Sequence, residues 1–137
     1  MYGLLLADEA QFSIRKEENI FLIRLLGYWD LKTAKHFRER FRLLVEIAPE
    51  GEWGALADLR DWDGASEEAF IEAKKILDWM VENGQHAGVH VLNSGVRKTE
   101  IAHLQEIQRA RIAFDVFHSV EVALPWLRAK LRQSAVS

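Results

Sequence analysis

Cysteine is absent from all 137 residues, which excludes disulfide scaffolds, thiolate zinc sites and cysteine nucleophiles together. No run on the order of 18 consecutive apolar residues occurs, so no segment is expected to span a bilayer. The opening Met1-Tyr-Gly-Leu-Leu-Leu-Ala-Asp8 has a short leucine run with no basic region before it, and no signal peptide is expected. Nor is there an excess of positive charge. Lys and Arg number 18 against 21 Asp and Glu, and the net charge of −3 gives no general attraction to nucleic acid or anionic lipid. Repeats, low-complexity tracts and linkers are also missing, and the one boundary worth marking is the polar tail from Gln133 to Ser137. These absences predict a single soluble domain over residues 1–137, with a cytoplasmic setting.

What is present is a globular composition. The chain is 49% hydrophobic and 28% charged, which excludes the disordered class and supplies enough apolar surface for one core. Its organising stretch is Gly54-Ala-Leu-Ala-Asp-Leu-Arg-Asp-Trp-Asp-Gly-Ala-Ser66: an apolar run, an Asp-Leu pair, then a charged turn before a long helix. A run buried on both faces and followed by turn and helix marks a central strand of a parallel sheet, where ligands and partners meet the strand's carboxyl end.

Along the chain, Phe12 to Lys16 alternates apolar and polar and predicts a strand with one wet face. Glu17-Glu-Asn19 turns it into an antiparallel hairpin with the more apolar strand Ile20 to Gly27. Asp30 caps a helix whose apolar stripe runs through Leu31, Ala34, Phe37, Phe41, Leu44, Val45 and Ala48, and Pro49 and Gly51 stop it. The basic residues on its other face are interrupted by Glu39 and Glu46 and read as a solvated surface. Trp53 to Leu59 is the organising strand, and Arg60 to Ala65 is expected to be a loop. Ser66 caps the second helix, with Ala69, Ala73, Ile76, Leu77 and Met80 inward, ending at Gly84. Ala87 to Leu92 is a strand with Val89 and Val91 on one face and His86, Gly88, His90 and Leu92 on the other. A helix from Thr99 to Arg111, a strand from Ile112 to Phe117 and a Ser119-capped helix bearing Pro125 complete the chain. The fold class is therefore α/β: one mixed, mostly parallel five-stranded sheet, with one antiparallel edge strand, flanked by four helices.

Candidate chemistry is sparse. His86 and His90 share the predicted strand face, but no carboxylate stands at ligand spacing, so no metal site is expected. Asp61 and Asp63 sit in a turn beside Arg60 and a helix start, which keep carboxylates ionised rather than tuned for acid catalysis. Ser94-Gly-Val-Arg-Lys-Thr99 lacks the second glycine and the Gly-Lys of a phosphate loop; either a helix begins at Thr99 or an anion binds there, and the first is simpler. No Ser-His-Asp order and no dinucleotide fingerprint stand out. No enzyme activity and no cofactor are expected.

The element order, Trp53 with Ala57-Asp-Leu-Arg-Asp-Trp62, Trp79 in the next helix, and the ending Val116-Phe-His-Ser-Val-Glu-Val-Ala-Leu-Pro-Trp-Leu127 resemble the STAS superfamily, most closely its SpoIIAA-like branch. The resemblance implies a non-enzymatic regulatory module that binds a protein partner. Related SpoIIAA-like folds imply the alternative of a carrier or sensor holding an apolar, lipid-like ligand in a pocket between helices and sheet. In the antagonists of that superfamily an Asp-Ser-Ser-Gly stands at the start of the helix after the third strand. Here the Asp position falls on Ser66 and the phosphoacceptor position on Glu67, with no glycine following, so Ser66 is expected to be a structural, unphosphorylated cap. The candidate binding residues are the two rim segments, Arg60, Asp61, Trp62, Asp63 and Ser66, then Asn93, Ser94, Arg97 and Lys98. No nucleic-acid partner is expected, and a homodimer is compatible with this fold.

Overall fold

The computed structural model describes residues 3–47, 51–93 and 99–136. Its elements in chain order are β1 (Leu4–Asp8), β2 (Phe12–Glu17), β3 (Ile20–Trp29), α1 (Leu31–Glu46), β4 (Trp53–Ala65), α2 (Glu67–Glu82), β5 (Gln85–Val91), α3 (Thr99–Arg109), β6 (Ala113–Phe117) and α4 (Val120–Val136). The strands form one six-stranded sheet in the order β1-β2-β3-β4-β5-β6. Pairing is antiparallel from β1 to β3 and parallel from β3 to β6, so β2 alone runs against the rest.

Helix placement follows from this order. Each parallel step moves one strand further in the same direction, and right-handed crossovers then put every connecting helix on one face. Accordingly α1, α2 and α3 pack together over one side, while α4, which follows the last strand, returns over β4, β5 and β6 on the other. Two apolar layers result. Under α1 and α2 lie Phe12, Ile14, Phe21, Ile23, Ala55 and Leu59 with Phe37, Phe41, Ile76 and Met80. Under α4 lie Ile20, Leu22, Leu56, Ala87, Val89 and Val91 with Leu124, Leu127 and Leu131. Gly54 allows α4 to come close: a Cβ there would stand 3.0 Å from the Leu131 side chain and 3.1 Å from that of Leu127.

All three predicted caps hold. The Asp30 carboxylate accepts from the Thr33 N–H at 2.9 Å, the Ser66 Oγ accepts from the Ala69 N–H at 3.1 Å, and the Ser119 Oγ accepts from the Val122 N–H at 3.2 Å. Trp79 packs its ring edge-on against Phe41 and so helps join α2 to α1. Glu72 of α2 is 3% exposed and is met by the guanidinium of Arg38 from α1. Helix α4 continues through Pro125. Pro49 lies outside the described residues.

Two expectations need correction. The sheet has six strands rather than five, because Leu4–Asp8 pairs with β2 and takes the edge position. Its side chains do not alternate cleanly, since Leu4 and Leu5 are exposed and a register shift follows Leu5; pairing, not periodicity, makes it a strand. The antiparallel strand β2 is consequently one place in from the edge. Second, Arg60 to Ala65 is not a loop. β4 continues to Ala65 alongside Leu26 to Trp29 of β3, with two register shifts that absorb the extra residues.

Candidate functional site: the β3/β4 ribbon and the cavity beneath α2

Pairing with β5 stops at Asp58, while β4 runs on to Ala65 with β3 as its only partner strand among the described residues. The sheet therefore ends in a two-stranded ribbon at the carboxyl ends of the parallel strands, the usual functional edge of open α/β sheets. Four of the predicted rim residues are fixed there. Asp58 is buried and takes both arms of Arg60, with Nε and Nη2 each at 2.9 Å from a carboxylate oxygen. That bond, more than its coulombic pull, raises the Arg60 pKa above its ordinary value and keeps the guanidinium charged. Asp61 is exposed and pairs with Arg24 across the ribbon. Asp63 is exposed on the same segment.

Trp62 points the other way. It is 8% exposed, with its ring edge-on to Trp29 and Phe70. The ribbon closes where the Ser66 N–H donates to the Trp29 carbonyl at 2.9 Å, placing the α1 and α2 caps side by side. Asn93 belongs to the same edge, because its Nδ2 donates to the Arg60 carbonyl at 2.9 Å. Ser94, Arg97 and Lys98 lie outside the described residues. At Asp30 the Thr33 N–H, followed by the Thr33 hydroxyl, holds the carboxyl below its ordinary pKa.

Beneath α2 the packing is incomplete. A cavity of about 90 Å³ runs along the sheet from Trp62, opposite Gly27 of β3, to Gln85, opposite Trp53. Small residues create it: Ala55, Ala57 and Gly88 on the sheet, Ala69 and Ala73 on the helix. Polar side chains stand in its wall. Gln85 Nε2 donates to Gln108 Oε1 at 3.1 Å, but Gln85 Oε1, Gln108 Nε2, His90 Nδ1 and Trp62 Nε1 are buried without a hydrogen-bond partner among the described residues. A buried polar atom without a partner costs about 1–3 kcal/mol, and four such atoms stand in this one cavity wall. Burial, then the nearby charge of Arg109, lowers the His90 pKa from 6.5 to about 4, and the imidazole is neutral at pH 7.

His86 does not share the strand face of His90 as the sequence pattern predicts. Trp53 faces Gln85 and Gly54 faces Ala87, so a bulge at His86 turns it toward Glu52, with its Nδ1 3.6 Å from that carboxylate. Gln85 takes its place beside His90 along the cavity. No group of three or more metal-ligating side chains gathers among the described residues. Sequence reasoning missed Gln85, Gln105 and Gln108, all buried. A signal was there: Ile101, Leu104, Gln105 and Gln108 share a helix face at three- and four-residue spacing.

Neither a protein-family model nor a curated protein matches this sequence. Solved structures do match its shape. An uncharacterized DUF3478-family protein with a SpoIIAA-like fold from Shewanella loihica PV-4 superimposes with a TM-score of 0.65 at 14% identity, over 88% of this chain and 97% of that one. The anti-sigma factor antagonist SpoIIAA in its unphosphorylated form gives 0.63 at 10% identity, over 85% of this chain and 97% of that one. An anti-sigma factor antagonist from Mycobacterium paratuberculosis gives 0.59 at 14% identity, over 86% and 93%. By this likeness in shape, the chain has a SpoIIAA-like fold.

Proposed function

We propose that the chain is a non-enzymatic regulatory module that binds a protein partner through the outer face of the β3/β4 ribbon. The observation that carries this reading is the ribbon itself. It extends past β5, and it presents Tyr28, 58% exposed, on the same strand as Arg24, which pairs with Asp61. An exposed aromatic beside charges already locked in place loses little conformational freedom on docking, and tyrosine is enriched among the residues that dominate interface energy. The fold shared with two anti-sigma factor antagonists supports the same class. The Ser66 Oγ is engaged with the Ala69 N–H, and Glu67 and Glu68 follow it in the first turn of α2. They would repel a phosphate of charge roughly −2, so partner binding here is independent of Ser66 phosphorylation.

A photo-crosslinking amino acid at position 28, expressed in the source cell, tests this reading. One discrete protein adduct is expected from position 28, lost on Asp61→Arg, and none from position 35 on the exposed side of α1. Adducts that are equally frequent from both positions, or unaffected by Asp61→Arg, would refute it.

The second reading, a carrier of a lipid-like ligand, has the cavity in its favour but not the cavity's size. At about 90 Å³ it is smaller than the roughly 150 Å³ that admits a benzene ring. An acyl chain enters only if α2 moves away from the sheet.

A further inference from the structure

The sheet ends in β1 on one side and β6 on the other, and the two edges are finished differently. β6 lies between α3 and α4, and its middle residue, Asp115, is exposed. The Asp115 carboxylate accepts the Val116 N–H at 2.8 Å and has the Arg109 guanidinium 4.0 Å away, so charge guards that edge against a further strand. β1 carries no charge before Asp8 and no proline, and its Leu4 and Leu5 are 69% and 41% exposed. An edge strand of that kind is a template for pairing with another strand. The α4 side of the sheet shows what the added strand must match. Leu5, Arg15, Leu22 and Leu56 stand in one row across β1, β2, β3 and β4. Helix α4 covers Leu22 and Leu56, and the row continues beyond it through Arg15 to Leu5. Asp8, opposite Ser13, is on the same face. Leu5, Asp8 and Arg15 border one hollow of about 260 Å³, and no ion pair among the described residues takes up Asp8 or Arg15.

We propose that β1 pairs antiparallel with β1 of a second copy of this chain, joining two six-stranded sheets into one about a two-fold axis. An axis between Leu6 and Ala7 sets Leu5 of each copy opposite Asp8 of the other, on the face that both share. Neighbouring strands lie about 4.8 Å apart, so each Asp8 carboxylate has the second copy's Arg15 one strand beyond that leucine, within reach of an arginine side chain. Two charges left without ion pairs in the single chain become two equivalent ion pairs in the dimer, and a two-fold interface requires this self-complementarity. Pairing of β1 with β6 of a second copy offers no such match. It would set Asp115 against the leucines and would repeat into an open fibre. With five residues of β1 on each side the interface is small, and the dimer has a Kd on the order of 10–100 μM. Neither Tyr28 nor Asp61 takes part, so this pairing does not rest on the partner proposed for the ribbon.

Sedimentation of the full chain from about 5 to 500 μM, with amide hydrogen exchange at both ends of that range, tests the pairing. The natural chain is expected to pass from monomer to dimer across the range, with slower exchange in β1 and no change in β6. Leu5→Lys alters a side chain that is already exposed in the single chain and is expected to weaken the dimer at least ~10-fold. Asp8→Arg is expected to do the same, and adding Arg15→Asp to it is expected to bring the affinity back to within about threefold of the natural chain. A monomer at every concentration would overturn the proposal and leave this edge to an extended segment of a different protein. A dimer that survives Leu5→Lys, or that slows exchange elsewhere than in β1, would overturn the surface. A double variant as weak as Asp8→Arg alone would overturn the two-fold register.

Discussion

Lowering the pH from 7.5 to 4.5 places a proton on His90 in the unfolded chain but not in the folded one. In the folded protein the imidazole is 7% exposed, faces the Phe114 ring at 4.8 Å and has the charge of Arg109 nearby. These surroundings hold its pKa at about 4 against 6.5. Above pH 6.5 both states carry a neutral imidazole and His90 adds no pH dependence. Between 6.5 and about 4 the unfolded state binds more protons, so stability falls as the pH falls, by ~1.4 kcal/mol for each pH unit. Over the whole window this amounts to about 3 kcal/mol, and between pH 7.5 and 4.5 to about 2.5 kcal/mol. For a domain of ordinary stability, in the range of about 5–15 kcal/mol, that is a large fraction. Urea titrations of the natural chain and of His90→Gln at both pH values measure it. The Asp30 carboxyl, held below its ordinary pKa, contributes acid sensitivity to both proteins and cancels in the difference, which isolates His90. The natural chain is expected to lose about 2.5 kcal/mol more than the variant on acidification. Parallel losses would refute the reasoning and mean that protonated His90 finds solvent or an acceptor within the fold.

Three further outcomes follow from the packing. Leu56 is 2% exposed beneath α4, and Leu56→Ala is expected to lower stability by about 2–5 kcal/mol, read as a reduced urea midpoint at unchanged slope. Ser66→Ala removes the acceptor for the Ala69 N–H and should cost about 1 kcal/mol, while Ser66→Asp, another good cap, keeps most of the stability; fragment-mapped mass analysis of protein from the source cell should find no phosphate at this residue. Arg38→Leu strands the Glu72 carboxylate, whose side chain is 4% exposed, and should cost about 1–3 kcal/mol. Replacing both partners by leucine should recover most of that loss, and an equal loss in the double variant would show that packing rather than charge matters there.

Much of the fold is decided locally, and that part was legible in the residues. Asp30 and Ser66 carry short acceptor side chains just ahead of apolar periodic runs, and each caps the expected helix because the cap bond spans only three residues. The apolar run from Trp53 to Leu59 has little choice but a doubly covered central strand, and Leu56 and Val89 are buried on the face that α4 covers. Tertiary structure decided the rest. Leu4–Asp8 became a strand through pairing with β2, which no local preference encodes. Arg60 to Ala65 reads as a turn by composition, yet an extended β3 beside it supplies backbone partners and register shifts let its charges face outward. The bulge at His86 reversed which side chain stands beside His90, because one extra residue moves its neighbours to opposite faces. The cavity beneath α2 is further still from the sequence. It arises where alanines and a glycine from two strands and a helix meet, and such a coincidence of small residues exists only once the sheet and α2 are packed together.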